Sequence, residues 1–195
     1  MHPATTRMEA VRQQAATALG AFLNETVITP SLSLCLSFSL CLPSTHQLSR
    51  QQVIMPSTTV SLNNVAEGLV SSGFVSRGDR VLTTDQEHAG GLRCWQHYSP
   101  KGRQPLLAAL DVVSIPVMPP PETPSDILAL FKAALDAHEY KVVAVSHVTT
   151  TNGLVLPIKQ LAEMVHSHGA ILVVDGAQAH GGIAVDVHDL GVDAY

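Results

Sequence analysis

Three groups of residues in this chain have the types and spacing to do chemistry. The first is Asp175 with Gln178, in "AILVVDGAQAHGG" (170–182), where four apolar residues run straight into a carboxylate. A carboxylate at the tip of an apolar strand is poorly solvated and needs a partner. That partner is either the N–H groups of the next turn or a cationic ligand atom. A protonated pyridine nitrogen is such an atom: a carboxylate keeps it protonated, and the ring then draws electrons from a bound amino acid. Gln178, three residues on, can steady the turn or reach the same ligand, and the following His-Gly-Gly suits a turn or a close backbone approach. The second group is Ser57-Thr58-Thr59, where an extended run opens into a helix. Hydroxyls and free N–H groups there either cap the helix or bind an anion. The third is His88, in "DQEHAGGLRCW" (85–95), which can stack on a flat ring, move protons or simply sit on the surface. His166 and His168 have the spacing of a metal pair that His180 could join. They stand at a helix end, where cations suit the dipole, and no metal site is expected.

These groups need elements to position them, and from Val53 onward the pattern is regular. Strands are expected in "DRVLTTD" (79–85), "LDVVSIPVMP" (110–119), "KVVAVSHV" (141–148) and "AILVVD" (170–175). Between them, "STTVSLNNVAEGLVSS" (57–72) places Leu62, Val65, Ala66 and Leu69 at helical spacing. "PSDILALFKAALDAH" (124–138) carries Ile127, Leu130, Phe131, Ala134 and Leu135 on one stripe, with Ser125 expected as its cap. "PIKQLAEMVHSHG" (157–169) has Pro157 near its first turn and Gly169 at its C-cap. Apolar strands without alternation, separated by helices, predict an α/β fold: a parallel-rich sheet with helices on both faces. Ligands of such sheets sit at the carboxyl ends of the strands. Asp175, Thr84, Asp85 and the Thr149–Asn152 turn all fall there.

The first fifty residues differ. Thr6 to Asn24 predicts a helix with a Thr6/Glu9 capping box, within an N-terminal segment 1–26. Ser31 to Leu42 alternates Ser or Cys with Leu or Phe. That is a strand by pattern, and equally the product of a repeated pyrimidine dinucleotide, so 27–50 is assigned as a low-complexity insertion ahead of a domain at 51–195. Serine fills too much of this tract for a membrane span. Apolar residues make up 46% of the chain and charged ones 14%, which is globular, and a net charge of −5 without a basic patch argues against nucleic acid. Cys35, Cys41 and Cys94 form no paired motif, so a reducing, cytoplasmic setting is expected. The N-terminus lacks the apolar core of a secretory signal.

Taken together, "VVDGAQAHGGIAVDVHDLGVDAY" (173–195), "VSHVTTTNGLVLPIKQLAEMVHSHGA" (145–170) and "STTVSLNNVAEGL…GDRVLTTDQEHAGGLRCW" (57–95) resemble class V aminotransferases. These are fold-type I pyridoxal-phosphate enzymes that include cysteine desulfurases and isopenicillin N epimerase-like proteins. The resemblance implies that 51–195 is a partial large domain of such an enzyme. It implies pyridoxal 5′-phosphate as cofactor and an amino acid as substrate, and it leaves a homodimer open. By the same resemblance Asp175 would pair with the pyridine nitrogen and Gln178 would hydrogen-bond the phenolic oxygen. His88 would stack on the ring and serve catalysis, and Thr58 and Thr59 would hold the phosphate. Thr150 stands where desulfurases carry an asparagine beside the cofactor, a departure that favours the epimerase- or lyase-like branches. The family's cofactor lysine, in a Ser-x-His-Lys motif, has no counterpart here, and Lys101, Lys132, Lys141 and Lys159 all lie in other contexts. The chain is therefore expected to bind without turning over. The competing reading is a non-catalytic fragment or pseudoenzyme that binds cofactor or a partner. A nucleotide-binding module is disfavoured because no GxGxxG follows a first strand.

Overall fold

The structure, a computed structural model, describes residues 26–28, 52–55, 57–103, 109–117 and 123–195. The expected helix at 6–24, the alternating tract at 31–42 and nearly all of 27–50 lie outside the described residues. Two short strands, β1 (Thr26–Ile28) and β2 (Gln52–Ile54), pair in parallel. The main sheet is built from β3 (Arg80–Thr84), β4 (Asp111–Ile115), β5 (Val142–Ser146) and β6 (Ile171–Asp175). All its pairings are parallel, in the order β4-β3-β5-β6.

Among the described residues five helices accompany the strands: α1 (Thr58–Ser71), α2 (Ala89–Gln96), α3 (Pro124–Ala137), α4 (Ile158–Ser167) and α5 (Val187–Leu190). Successive strand residues point to opposite faces, and each face has its own core. On one face Val81, Val142, Ala144, Ile171 and Val173 pack with Leu62, Val65, Ala66 and Leu69 of α1 and with Cys94 and Trp95 of α2. On the other, Leu82, Val143, Val145, Leu172 and Val174 pack with Ile127, Phe131 and Leu135 of α3 and with Leu161, Ala162 and Val165 of α4. Strands buried on both sides have no polar alternation, which is why they read as apolar runs.

Local signals set the boundaries. Ser57 caps α1 by accepting from the Val60 N–H at 3.3 Å. α4 stops at Gly169, whose φ of 75° is the left-handed value that ends helices. α3 corrects one expectation: its cap is Thr123, not Ser125. The Thr123 hydroxyl and the Asp126 carboxylate cap each other's backbone, and Pro124 fills the first helical position. α2 is absent from the expectations above, because its paired glycines Gly90 and Gly91 weaken any helical signal.

Chain order reverses between β3 and β5. From β3 the chain passes through α2 to β4 on one side, then returns through α3 to β5 on the other. The crevice outside the carboxyl ends at such a reversal is where doubly wound sheets bind ligands.

Candidate functional site

A cleft of about 270 Å³ opens at this reversal. Its walls come from four places in the chain: Ser57, Thr58 and Thr59 at the start of α1; His88, Gly90 and Gly91 at the start of α2; Ser146, Val148 and Thr150 after β5; and Asp175, Ala177 and Gln178 after β6. All six site residues expected from the sequence, Thr58, Thr59, His88, Thr150, Asp175 and Gln178, line it.

Asp175 ends β6 and is only 8% exposed. Its Oδ1 accepts the Ala177 N–H at 3.0 Å, and among the described residues no hydrogen bond is formed to Oδ2. Burial pushes its carboxyl pKa up, against the opposing effects of the Ala177 N–H and the nearby His88. A buried carboxylate with one satisfied oxygen and one open to a cleft is suited to receive a cation. Behind it, the His147 N–H donates to the Asp175 carbonyl at 2.9 Å, and the His147 ring meets the Tyr195 hydroxyl at 2.9 Å.

His88 caps α2: its Nδ1 accepts the Gly90 N–H at 3.1 Å. Neutral imidazole that accepts at Nδ1 carries its proton on Nε2. The cap therefore fixes both the tautomer and the side chain's place on the rim. The two helix starts are pressed together, since a Cβ on Gly90 would lie 2.6 Å from the Thr59 Oγ1. A Cβ on Gly91 would lie 3.3 Å from the Asp175 Oδ2. The paired glycines thus let α2 close over the α1 terminus and the carboxylate at once. Two helix N-termini thus converge on the cleft, one at the hydroxyls and one beside Asp175, and both favour negative charge.

Some expected neighbours point elsewhere. Asp85 accepts the Val117 N–H at 2.9 Å and so ties the turn after β3 to the chain after β4. The Thr149–Asn152 turn closes on itself through Thr149, which donates to Asn152 and accepts the Leu154 N–H at 2.9 Å. Thr151 reaches across to Gln86 at 2.6 Å. His166 meets Asp193 at 2.8 Å and His168 meets Asp136 at 3.1 Å, both away from the cleft. Among the described residues no group of His, Cys, Asp or Glu is placed to hold a metal ion, and no helix is long and apolar enough to cross a membrane. Cys94 is buried and its thiol is pushed up to about 12. The sequence reading had Ser57 within its hydroxyl run and missed Gly90, Gly91, Ser146, Val148 and Ala177 as lining. Of these only the glycines carried a signal, through the Gly-Gly that follows the histidine.

A doubly wound sheet with an aspartate at one strand end, a histidine on the rim and hydroxyls at a helix start is the arrangement of a pyridoxal-phosphate domain of fold type I. The family model for aminotransferase class-V matches residues 47–195, and the chain belongs to that family. A cysteine desulfurase of Klebsiella pneumoniae is 30% identical over 192 residues, which cover 98% of this chain and 38% of that protein. A probable cysteine desulfurase of Halalkalibacterium halodurans is 27% identical over 150 residues, 77% of this chain and 34% of the relative. The solved apo cysteine desulfurase of Thermococcus onnurineus NA1 superimposes with a TM-score of 0.66 at 28% identity, over 97% of this chain and 38% of its own. The chain thus spans between a third and two fifths of the length of these relatives. The expected fold class stands: it is part of a fold-type I large domain, and the family's cofactor is pyridoxal 5′-phosphate.

Proposed function

We propose that the cleft binds pyridoxal 5′-phosphate in the roles assigned from the sequence. Asp175 holds the ring nitrogen, Gln178 the phenolic oxygen, His88 the ring face, and Thr58 and Thr59 the phosphate, with Thr150 beside the substrate position. The observation that carries this reading is the open Oδ2 of a buried Asp175, which lines one cleft together with a hydroxyl-rich helix start. When bound, the cofactor supplies an electron sink for bond changes at the α-carbon of an amino acid. The residues here bind and orient it: Asp175 keeps a proton on the ring nitrogen, and α2, docked on Thr59, shields one side from water.

For the whole protein we propose chemistry on a small amino acid. Sulfur transfer is favoured by the desulfurases among the relatives, while Thr150 is the residue that keeps an epimerase or lyase in contention. None of the chain's four lysines lines the cleft. This favours the second reading for the 195-residue chain by itself: cofactor binding without turnover.

The test is titration of the chain with pyridoxal 5′-phosphate, followed by visible absorption and Trp95 fluorescence, then addition of L-cysteine with sulfide measured. Saturable binding that Asp175→Asn weakens, without sulfide release, is expected. Absence of binding overturns the cofactor reading. Sulfide release that stops on replacing one particular lysine overturns the reading of binding alone.

A further inference from the structure

The strand pair at the chain reversal is short. β3 pairs with β4 at five positions and β5 with β6 at five, but β3 and β5 pair only at Val81–Val142 and Leu82–Val143. Both strands run on, to Thr84 and Ser146, so they part before their carboxyl ends. Glu87 bridges the gap. The buried Thr84 hydroxyl donates to its Oε1 at 2.7 Å, and the buried Ser146 hydroxyl donates to its Oε2 at 2.6 Å. The Gln86 N–H donates to the same Thr84 oxygen at 3.2 Å, so the Thr84 proton is committed to Glu87. Ser146 lines the cleft and His88 is the next residue in the chain. The proposed function gives Glu87 no part.

We propose that Glu87 is a positioning residue of this cleft: its carboxylate joins the parted ends of β3 and β5 through Thr84 and Ser146, and so sets where His88 and the Ser146 hydroxyl stand toward the ring. The inference rests on the cofactor reading. A carboxylate is the group for this task because it only accepts, so it takes both hydroxyl protons and leaves the Ser146 lone pairs for the cleft. Burial raises the Glu87 pKa, while the hydrogen bonds from Ser146 and Thr84 act against that rise, since bonds to an ionised acceptor are the short, strong ones. Glutamine has the same shape but must donate to one hydroxyl, which turns that hydroxyl's proton outward.

The test uses the 195-residue chain, with Glu87→Ala, Glu87→Gln and Ser146→Ala, and pyridoxal 5′-phosphate and inorganic phosphate as separate probes. Glu87→Ala is expected to weaken cofactor binding about tenfold, the order set by one charge-assisted hydrogen bond. It also changes the circular dichroism of the bound cofactor's visible band, which follows ring orientation. Competition by inorganic phosphate, directed at Ser57–Thr59, stays as in the wild type. Glu87→Gln recovers most of the affinity but keeps an altered dichroism, and Ser146→Ala shows that alteration without a further loss when combined with it. In the ligand-free protein, amide exchange in Glu87→Ala rises at 85–91 and not at 158–167. Wild-type affinity and dichroism in Glu87→Ala overturn the inference, as does wild-type exchange at 85–91. Equal losses of cofactor and phosphate binding with faster exchange throughout also overturn it, by making Glu87 a residue of general folding. A wild-type chain that binds no cofactor overturns the cofactor reading instead, and exchange of the ligand-free variant then still decides whether Glu87 holds 85–88.

Discussion

Replacing Asp175 by asparagine separates holding the turn from holding a cation. The side-chain oxygen of the introduced asparagine can still accept the Ala177 N–H, which lies 3.0 Å from Oδ1 of the native aspartate. Making that acceptor neutral costs about 0.5–1 kcal/mol, and no longer burying a charge offsets a similar amount. The net change in folding stability at neutral pH is therefore within about 1 kcal/mol of zero. On the ligand side, one member of a desolvated ion pair has gone, a loss of about 3–5 kcal/mol, or roughly a hundredfold to a few thousandfold in affinity. The pH dependence has a definite sign. Burial raises the Asp175 pKa above its ordinary 3.8, so the folded chain keeps that proton to a higher pH than the unfolded chain does. Stability from this group is then complete below 3.8 and is lost as pH rises through the folded value. Asp175→Asn removes that loss. Urea unfolding from about pH 3.5 to 7, beside cofactor titration by fluorescence, measures both effects. A variant destabilised by more than about 2 kcal/mol with unchanged cofactor affinity would refute the reasoning and leave Asp175 a turn cap.

Gly176→Ala should destabilise the fold by about 2–4 kcal/mol in urea unfolding, because the new Cβ would lie 2.3 Å from the buried Tyr195 ring, which has nowhere to go. Gly90→Ala meets the exposed Thr59 hydroxyl at 2.6 Å instead. That hydroxyl can rotate away, so stability should change by less than about 1 kcal/mol while cofactor affinity falls. Thr123→Ala removes the capping box of α3 and should cost about 1 kcal/mol with cofactor binding intact. Burial lowers the His147 pKa below its ordinary 6.5, so stability should fall as pH drops through that value toward the folded one. His147→Asn should flatten that slope in unfolding curves taken between about pH 7 and 5.

β3, β5 and β6 were legible because burial on both faces leaves them no polar alternation, and β4, an edge strand with Asp111 and Ser114 exposed, was legible from its valines and isoleucine. α1, α3 and α4 were legible from the stripes of Leu62–Leu69, Ile127–Leu135 and Leu161–Val165. α2 was not. Its glycines lower helix propensity, and they let α2 sit against the α1 terminus and Asp175 where a Cβ would crowd the Thr59 hydroxyl and Oδ2. Close approach is a tertiary demand, and a single sequence does not display it. The cap of α3 was misplaced by two residues because Ser125 and Thr123 are equally good capping types, and only the reciprocal bond with Asp126 chooses between them. For the site, residue type and position made Asp175, Gln178 and the threonines candidates, their roles came only with the family resemblance, and the fold brings them to one cleft. Ser146 escaped notice because a serine ending an apolar strand carries no signal until Glu87, far away in the chain, is seen to bind it.

Turn cap and cation partner were competing readings of Asp175 when the sequence stood alone. They are compatible in the fold because a carboxylate has two oxygens with separate directions. Oδ1 satisfies the Ala177 N–H and thereby fixes the side-chain torsion, while Oδ2 is left toward the cleft. The same division recurs at the start of α2. His88 commits Nδ1 to the Gly90 N–H, which fixes the ring and leaves Nε2–H. In both cases the local structural bond orients the group that is free to meet a ligand, and it takes up one of that residue's two polar atoms. A site built this way is preorganised before anything binds, since the torsions a ligand would otherwise have to freeze are already frozen by the backbone. It follows that variants which keep the outward atom but lose the inward bond should bind more weakly despite an unchanged ligand contact. Replacing the inward bond is therefore a sharper probe of this cleft than replacing the contact itself.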